Sequence, residues 1–263
     1  RNDGRVLDPD LLFYKGPQDT RSGKTNFGRF LDSPPDRWGR VLMRRREAIL
    51  ARKEGRAPRK LGESDYLLGV YDKNRMGALR FKERDSEVFQ SADSAMAAPP
   101  WSTLRDLEYA SFLAEHEDDD GKLDPWLFML IAPGSSLGGA RPKASVMDDN
   151  GELWIAKFPG KDDERDWGAW EMLVTDLARE AGIEMSECRI DSFSKRGSTF
   201  LTKRFDRAGK GRIHFASAMT LLGRSDGDDA EAGASYLEIA DFIMRGGSRP
   251  DVEVLSLETP VPG

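Results

Sequence analysis

The sequence predicts an α+β fold, and three observations carry that prediction. Ala144–Met147 and Leu153–Phe158 are short apolar runs on either side of Asp149–Gly151, the pattern of a β-hairpin. Residues 165–181 then place Trp167, Trp170, Leu173, Val174 and Leu177 at helical spacing, and Gly182 ends the run. Ser186–Phe193 and Ser198–Arg204 read as two more strands around the turn Lys195–Gly197, after which Ala216–Leu222 and Tyr236–Arg245 turn helical, the latter capped by Gly246–Gly247.

The upstream elements follow from the same rules. Residues 1–30 are polar and Gly-rich, with a short strand predicted at Leu11–Tyr14. Asp32–Ser33–Pro34–Pro35–Asp36 is a turn-and-cap cluster, so a helix starts after Asp36, with Trp38, Val41 and Leu42 on one face and Arg44–Arg46 extending it. Residues 51–64 are basic and loop-like. Tyr66–Tyr71 and Ala78–Phe81 read as short strands around the turn Asp72–Gly77. Residues 85–100 are small and polar and end in Pro99–Pro100, where a boundary is expected. Leu104–Leu113 is helical, Glu115–Asp120 is a solvated acidic loop, and Leu127–Ala132 is an apolar helix end leading into a Gly-rich loop. Three regions result: residues 1–100, a β-rich lobe over 101–206, and a helical region over 207–263.

Composition narrows the function. With 38% hydrophobic and 33% charged residues the chain is able to bury a core. Lys plus Arg number 40 against 46 for Asp plus Glu, and a net charge of -6 gives no reason to expect nucleic acid or an anionic membrane as a bulk partner. The single cysteine, Cys188, points to a reducing compartment and reads as a small buried apolar residue. Two histidines, His116 and His214, leave too few ligands for the common zinc sites. No apolar run reaches the length of a membrane span, and residues 1–10 lack the apolar core of a signal peptide, so a cytoplasmic protein is expected.

The segment Pro133-Gly-Ser-Ser-Leu-Gly-Gly-Ala-Arg-Pro-Lys-Ala-Ser-Val146 has the chemistry of a phosphate cradle. Gly134, Gly138 and Gly139 allow close backbone approach, successive N–H groups can hold phosphate oxygens, and Arg141 and Lys143 add charge. An ordinary hairpin loop has the same composition. Lys157 lies in Trp154-Ile-Ala-Lys-Phe-Pro-Gly160, and a lysine inside an apolar strand is costly unless its ammonium finds an anion or snorkels to water. Glu171, on the following helix, is the acid that would hold such a lysine. Phe200-Leu-Thr-Lys-Arg-Phe-Asp-Arg207 is an extended segment able to offer backbone groups to an adenine edge.

Loop, hairpin, helix, two strands, connector and helices is the order of a protein-kinase-like small lobe entering a helical lobe. The strings Ser136-Leu-Gly-Gly-Ala-Arg-Pro-Lys143, Ile155-Ala-Lys-Phe-Pro159, Arg204-Phe-Asp-Arg207 and Arg212-Ile-His214 resemble the HipA family of toxin kinases in order and spacing. Phe27–Arg40, Tyr66–Val70 and Tyr236–Ile243 resemble its flanking regions, so the likeness covers residues 25–250. The resemblance implies a kinase-like fold and a serine/threonine protein kinase that uses ATP and Mg²⁺. It implies a protein substrate, in the best-known members an aminoacyl-tRNA synthetase, and a toxin–antitoxin setting with a DNA-binding antitoxin. It places Ser136, with Ser135 adjacent, at the autophosphorylated loop serine, and Gly138, Gly139, Lys143 and Lys157 at the ATP phosphates. Glu171 falls at the helix glutamate, and Lys203 and Phe205 at the hinge that meets adenine.

The family's catalytic loop, Asn…Asp-Asp-His…Asn, and its later Mg²⁺-binding Asp have no counterpart in this sequence, which runs Arg249-Pro-Asp-Val-Glu-Val-Leu-Ser-Leu-Glu-Thr-Pro-Val-Pro-Gly263. The expectation is therefore a chain, truncated before its catalytic loop, that does not catalyse alone. The alternative is a non-catalytic nucleotide- or antitoxin-binding module.

Two further signals are rejected. Gly23-Lys-Thr25 lacks the first glycine of a phosphate-binding loop, since position 18 is Gln18. Glu115–Gly121 would need calcium ligands where His116 and Leu127 stand. The tryptophans at 154, 167 and 170 are expected in the core.

Overall fold

The computed structural model describes residues 11, 16–20, 26–91, 98–116, 130, 141–209, 211–224 and 227–247. It is a mixed α/β chain that divides into two compact units. The larger comprises Ser33–Asp176 and Met185–His214; the smaller comprises Arg1–Asp32, Leu177–Glu184 and Phe215–Gly263.

The larger unit is built on an antiparallel sheet of β1 (Lys143–Met147), β2 (Leu153–Lys157), β3 (Cys188–Ser194) and β4 (Gly197–Lys203) in the order β1-β2-β4-β3. The expected hairpin is present, with Val146 opposite Trp154 and Lys143 opposite Lys157. Alternation sends Ala144, Val146, Trp154, Ala156 and Leu201 into one core. Helix α2 (Arg37–Lys53) contributes Trp38, Leu42 and Ile49 to that core, and α4 (Leu104–Glu115) contributes Leu104, Leu107, Ala110 and Ala114. The core therefore runs across the boundary expected near residue 100. An apolar sheet face must be covered, and the helices on both sides of that position cover the same one.

Helix α2 starts where the sequence places it: Asp36 Oδ1 accepts from Gly39 N at 2.8 Å, a side-chain N-cap. Glu108 on α4 is 1% exposed yet satisfied, accepting from Thr199 Oγ1 at 2.7 Å and from Arg196 at 3.3 Å. That pairing ties α4 to the β3–β4 hairpin.

Four expectations are corrected. Tyr66–Tyr71 is not a strand: Glu63–Leu68 is helix α3, whose first turn is closed by Asp65 accepting from Gly62 N. Ala78–Phe81 forms no strand either. Residues 67–80 are instead held by a buried arginine cluster. Arg75 donates to the carbonyls of Leu67 and Val70, Arg204 to those of Asn74 and Arg75, and Arg207 to those of Lys73 and Arg75. These carbonyls serve guanidinium groups, which a strand ladder would not allow. Burial pushes Arg75 and Arg207 down to about 10, against the pull of Asp72 and Asp206 respectively.

The third correction concerns α5 (Trp167–Glu180), which forms where expected but is turned the other way. Trp154 is fully buried, whereas Trp167 and Trp170 are exposed, with Leu173 and Leu177 beside them. The packed side of α5 carries Gly168, Thr175 and Ala178 instead. Cys188 is also not buried: it is half-exposed, with its Sγ near Ser186 O and Thr202 Oγ1.

In the smaller unit, α1 (Gly28–Leu31) meets α6 (Ala218–Leu222) through Asp32, which accepts from Ser217 N at 2.9 Å and Ser217 Oγ at 2.6 Å. Helix α7 (Tyr236–Gly246) is capped by Ser235 and joined to the end of α6 by Arg224–Glu238, yet buries no side chain. No described helix is long and apolar enough to cross a membrane. A short antiparallel pair, β5 (Arg207–Ala208) and β6 (Gly211–Arg212), closes the connector. The predicted strand at Leu11–Tyr14 and the tail beyond residue 250 lie outside the described residues, as do most of Leu127–Ala132 and residues 117–120 of the acidic loop.

Candidate functional site

The site is built on one end of the sheet. Lys157 closes β2, with Lys143 opposite on β1 and Phe200 opposite on β4. Its ammonium lies 5.5 Å from the Phe200 ring centroid and donates to Glu171 Oε2 at 2.6 Å. Glu171 stands on α5, so a strand lysine and a helix glutamate separated by 14 positions meet. Both remain partly open, 36% and 30% exposed. A pair that open contributes only about 0.2–1 kcal/mol to stability. Both groups keep a side open to solvent at the end of the sheet.

Lys143 is placed otherwise. Its Nζ donates to Asp36 Oδ2 at 2.6 Å, and both side chains are buried, 5% and 3% exposed. Its carbonyl accepts from Trp38 Nε1 at 3.1 Å. Register points Lys143 to the same sheet face as Lys157, but its ammonium is taken up in closing α2 onto β1. Burial pushes Asp36 above the usual carboxylate value, opposed by Lys143 and by the Gly39 N–H.

Of the two residues expected at a hinge, Lys203 sits at the opposite end of the β2–β4 ladder and Phe205 just beyond it. Lys203 is opposite Trp154, three positions from the Lys157–Phe200 pair and so on the other face. Its N–H is taken by Glu187 O at 2.8 Å, and its ammonium pairs with Glu152 at 2.5 Å, which raises its pKa. Phe205 is 52% exposed. Ser135, Ser136, Gly138 and Gly139 lie outside the described residues. Of the basic residues near that loop, Arg141 is anchored by Asp163 and lies over the Trp167 ring at 5.9 Å.

The likeness to a known family extends over the C-terminal part of the sequence. Residues 135–257, a little under half of the sequence, match the HipA-like C-terminal domain. The chain carries a HipA-like domain. That domain spans the sheet, Lys157, Glu171 and α7, so the Lys157–Glu171 pair lies wholly inside the HipA-like segment. Comparison with curated proteins found no match.

Sequence reasoning missed the contacts that hold α5 in place. Asp166 and Ser198, in the HipA-like segment, bond to each other across 32 positions. His116 caps α4, its Nδ1 2.7 Å from Phe112 O and its ring against Phe112, and His214 is exposed.

Proposed function

We propose that this HipA-like domain is the nucleotide-gripping part of a serine/threonine protein kinase of the toxin–antitoxin type. The observation that carries the reading is the 2.6 Å contact between Lys157 on β2 and Glu171 on α5. Kinases use this arrangement, in which the glutamate fixes the lysine and the lysine holds nucleotide phosphates. The residues present fit the triphosphate of ATP: Lys157 supplies a point charge already oriented by a carboxylate, with exposure left for an anion. Mg²⁺ is the metal expected to accompany the nucleotide phosphates. The substrate class is a protein hydroxyl, and the expected partner is a DNA-binding antitoxin.

The test is calorimetric titration with a non-hydrolysable ATP analogue and Mg²⁺. Lys157→Ala removes a hydrogen bond to a charged group, which corresponds to about 1.5–3 kcal/mol, or about a 10–100-fold loss in affinity. Equal affinity in the wild type and Lys157→Ala would overturn the reading. Lys143→Met, which changes a buried structural lysine, is expected to lower stability without a comparable loss of affinity per folded molecule.

A further inference from the structure

The Lys157–Glu171 contact depends on where α5 begins, and α5 begins on the β3–β4 turn. Asp166 precedes the helix and acts as its cap, Oδ1 accepting from Ala169 N at 3.0 Å. The same carboxylate reaches across to the turn. Oδ1 accepts from Ser198 N at 3.0 Å, and Oδ2 accepts from Ser198 Oγ at 2.7 Å. Gly168 makes the approach possible: a Cβ there would fall 2.1 Å from Ser198 O and 2.8 Å from Ser198 C, both backbone atoms. Ser198 stands at the start of β4, and two residues later Phe200 lies opposite Lys157. The strand that neighbours the lysine therefore also holds the start of the helix that carries the glutamate.

We infer that Asp166, Ser198 and Gly168 are the positioning residues of this site, locking the first turn of α5 to the β3–β4 turn so that Glu171 reaches Lys157. The functional consequence rests on the nucleotide-gripping reading; the positioning itself does not. An open ion pair contributes too little to draw a helix into place, so the lock sets the distance. A Cβ at position 168 needs ordinary contact at 3.4 Å where 2.1 Å is available, a displacement of about 1.3 Å (3.4 minus 2.1). Carried along the helix, that shift draws Glu171 out of its 2.6 Å contact with Lys157. Misplacement on this scale is enough to cost about 10²-fold in a positioned site.

The experiment reads Lys157 directly. Intact protein is treated briefly with an amine-acetylating reagent, and labelling at Lys157 is measured by peptide mass spectrometry against the exposed Lys60 and Lys82. Glu171→Gln sets the level for a lysine that has lost its carboxylate. Ser198→Ala and Gly168→Ala are expected to raise Lys157 labelling severalfold, towards that level, with Lys60 and Lys82 unchanged. Ser198→Thr keeps the hydroxyl and is expected to stay near the wild type. Ser235→Ala, which removes the cap of α7 only, controls for general loosening. The inference is overturned if Ser198→Ala leaves Lys157 at the wild-type level, or if Ser235→Ala raises it equally. Should Gly168→Ala not fold, Ser198→Ala and its threonine rescue still decide. Affinity for the ATP analogue is expected to fall about tenfold or more in the lock variants. If the wild type does not bind the analogue, the functional reading fails while the labelling result still decides the positioning.

Discussion

Asp206 shows how much can depend on one carboxylate. It is fully buried and accepts from Arg204 Nε at 2.9 Å, Arg204 Nη2 at 2.7 Å, Arg207 Nη1 at 2.5 Å and Gly77 N at 2.7 Å. Burial raises its pKa, but the Arg204 hydrogen bonds, the charges of Arg204 and Arg207 and the Gly77 N–H outweigh that and hold it below the usual value. Removing one partner of a buried pair costs about 3–5 kcal/mol, because the arginines are left uncompensated. Asp206→Asn is therefore expected to lose about that much in urea unfolding at neutral pH. The sign of the pH effect follows. A carboxylate whose folded pKa is depressed contributes stability above its unfolded value, near 4, and loses it as pH falls through the folded value. The acid-induced loss of stability below about pH 4 should be shallower in Asp206→Asn than in the wild type. An unchanged slope would mean that other carboxylates set acid stability.

At the scale of elements, Asp36 has two separable roles, which a set of variants resolves. It caps α2, and it neutralises Lys143 on β1. Asp36→Asn keeps a capping oxygen but strands a buried ammonium, an expected cost of about 3–5 kcal/mol. Asp36→Ala loses the cap as well and should cost about 1 kcal/mol more. The double variant Asp36→Asn, Lys143→Met should recover most of the loss, since a buried pair is often replaceable by apolar packing. Thermal unfolding of the three variants checks the order. What was legible in the sequence divides along the same line. The cap at Asp36, the β1–β2 hairpin and the Lys157–Glu171 pairing all depend on residues close in sequence or on one strand–helix step, and all were readable. Helix α3 was not, because a short apolar run such as Tyr66–Tyr71 has no period long enough to separate strand from helix. What decides it is the arginine cluster, in which Arg75 holds Leu67 O and Val70 O and Arg204, 130 positions away, holds Asn74 O. The face of α5 was misread for a related reason. Periodicity marks an apolar stripe but does not say which side the fold uses, and here Gly168, Thr175 and Ala178 allow the close approach that the tryptophans would block. Lys143 looked like a phosphate ligand because sequence shows charge but not that Asp36, 107 positions earlier, has already claimed it.

For the whole molecule, the distribution of buried apolar residues predicts how the chain comes apart. Every residue of the central cluster, from Trp38 to Leu201, belongs to the larger unit. Among the described residues of the smaller unit, Ala178 is the one buried apolar side chain, while Tyr236, Leu237, Phe242 and Met244 of α7 are exposed. Burial at about 25 cal/mol per Å² is the main favourable contribution to folding, so among the described residues of the smaller unit the caps and the Asp32 and Arg224 contacts carry most of what offsets conformational entropy. Its opening should therefore need far less free energy than global unfolding. Hydrogen exchange provides the measurement: amides of α6 and α7 are expected to exchange at low urea, while those of β2, β4 and α2 remain protected until the tryptophan fluorescence transition. Trp38 and Trp154 lie in the large core, so fluorescence follows that unit. Equal protection in α7 and β4 would mean that the exposed face of α7 is covered in solution. Sedimentation of Leu237→Ser against the wild type would then separate self-association, which the substitution should reduce, from burial within one chain, which would leave the sedimentation coefficient of the wild type that of a monomer.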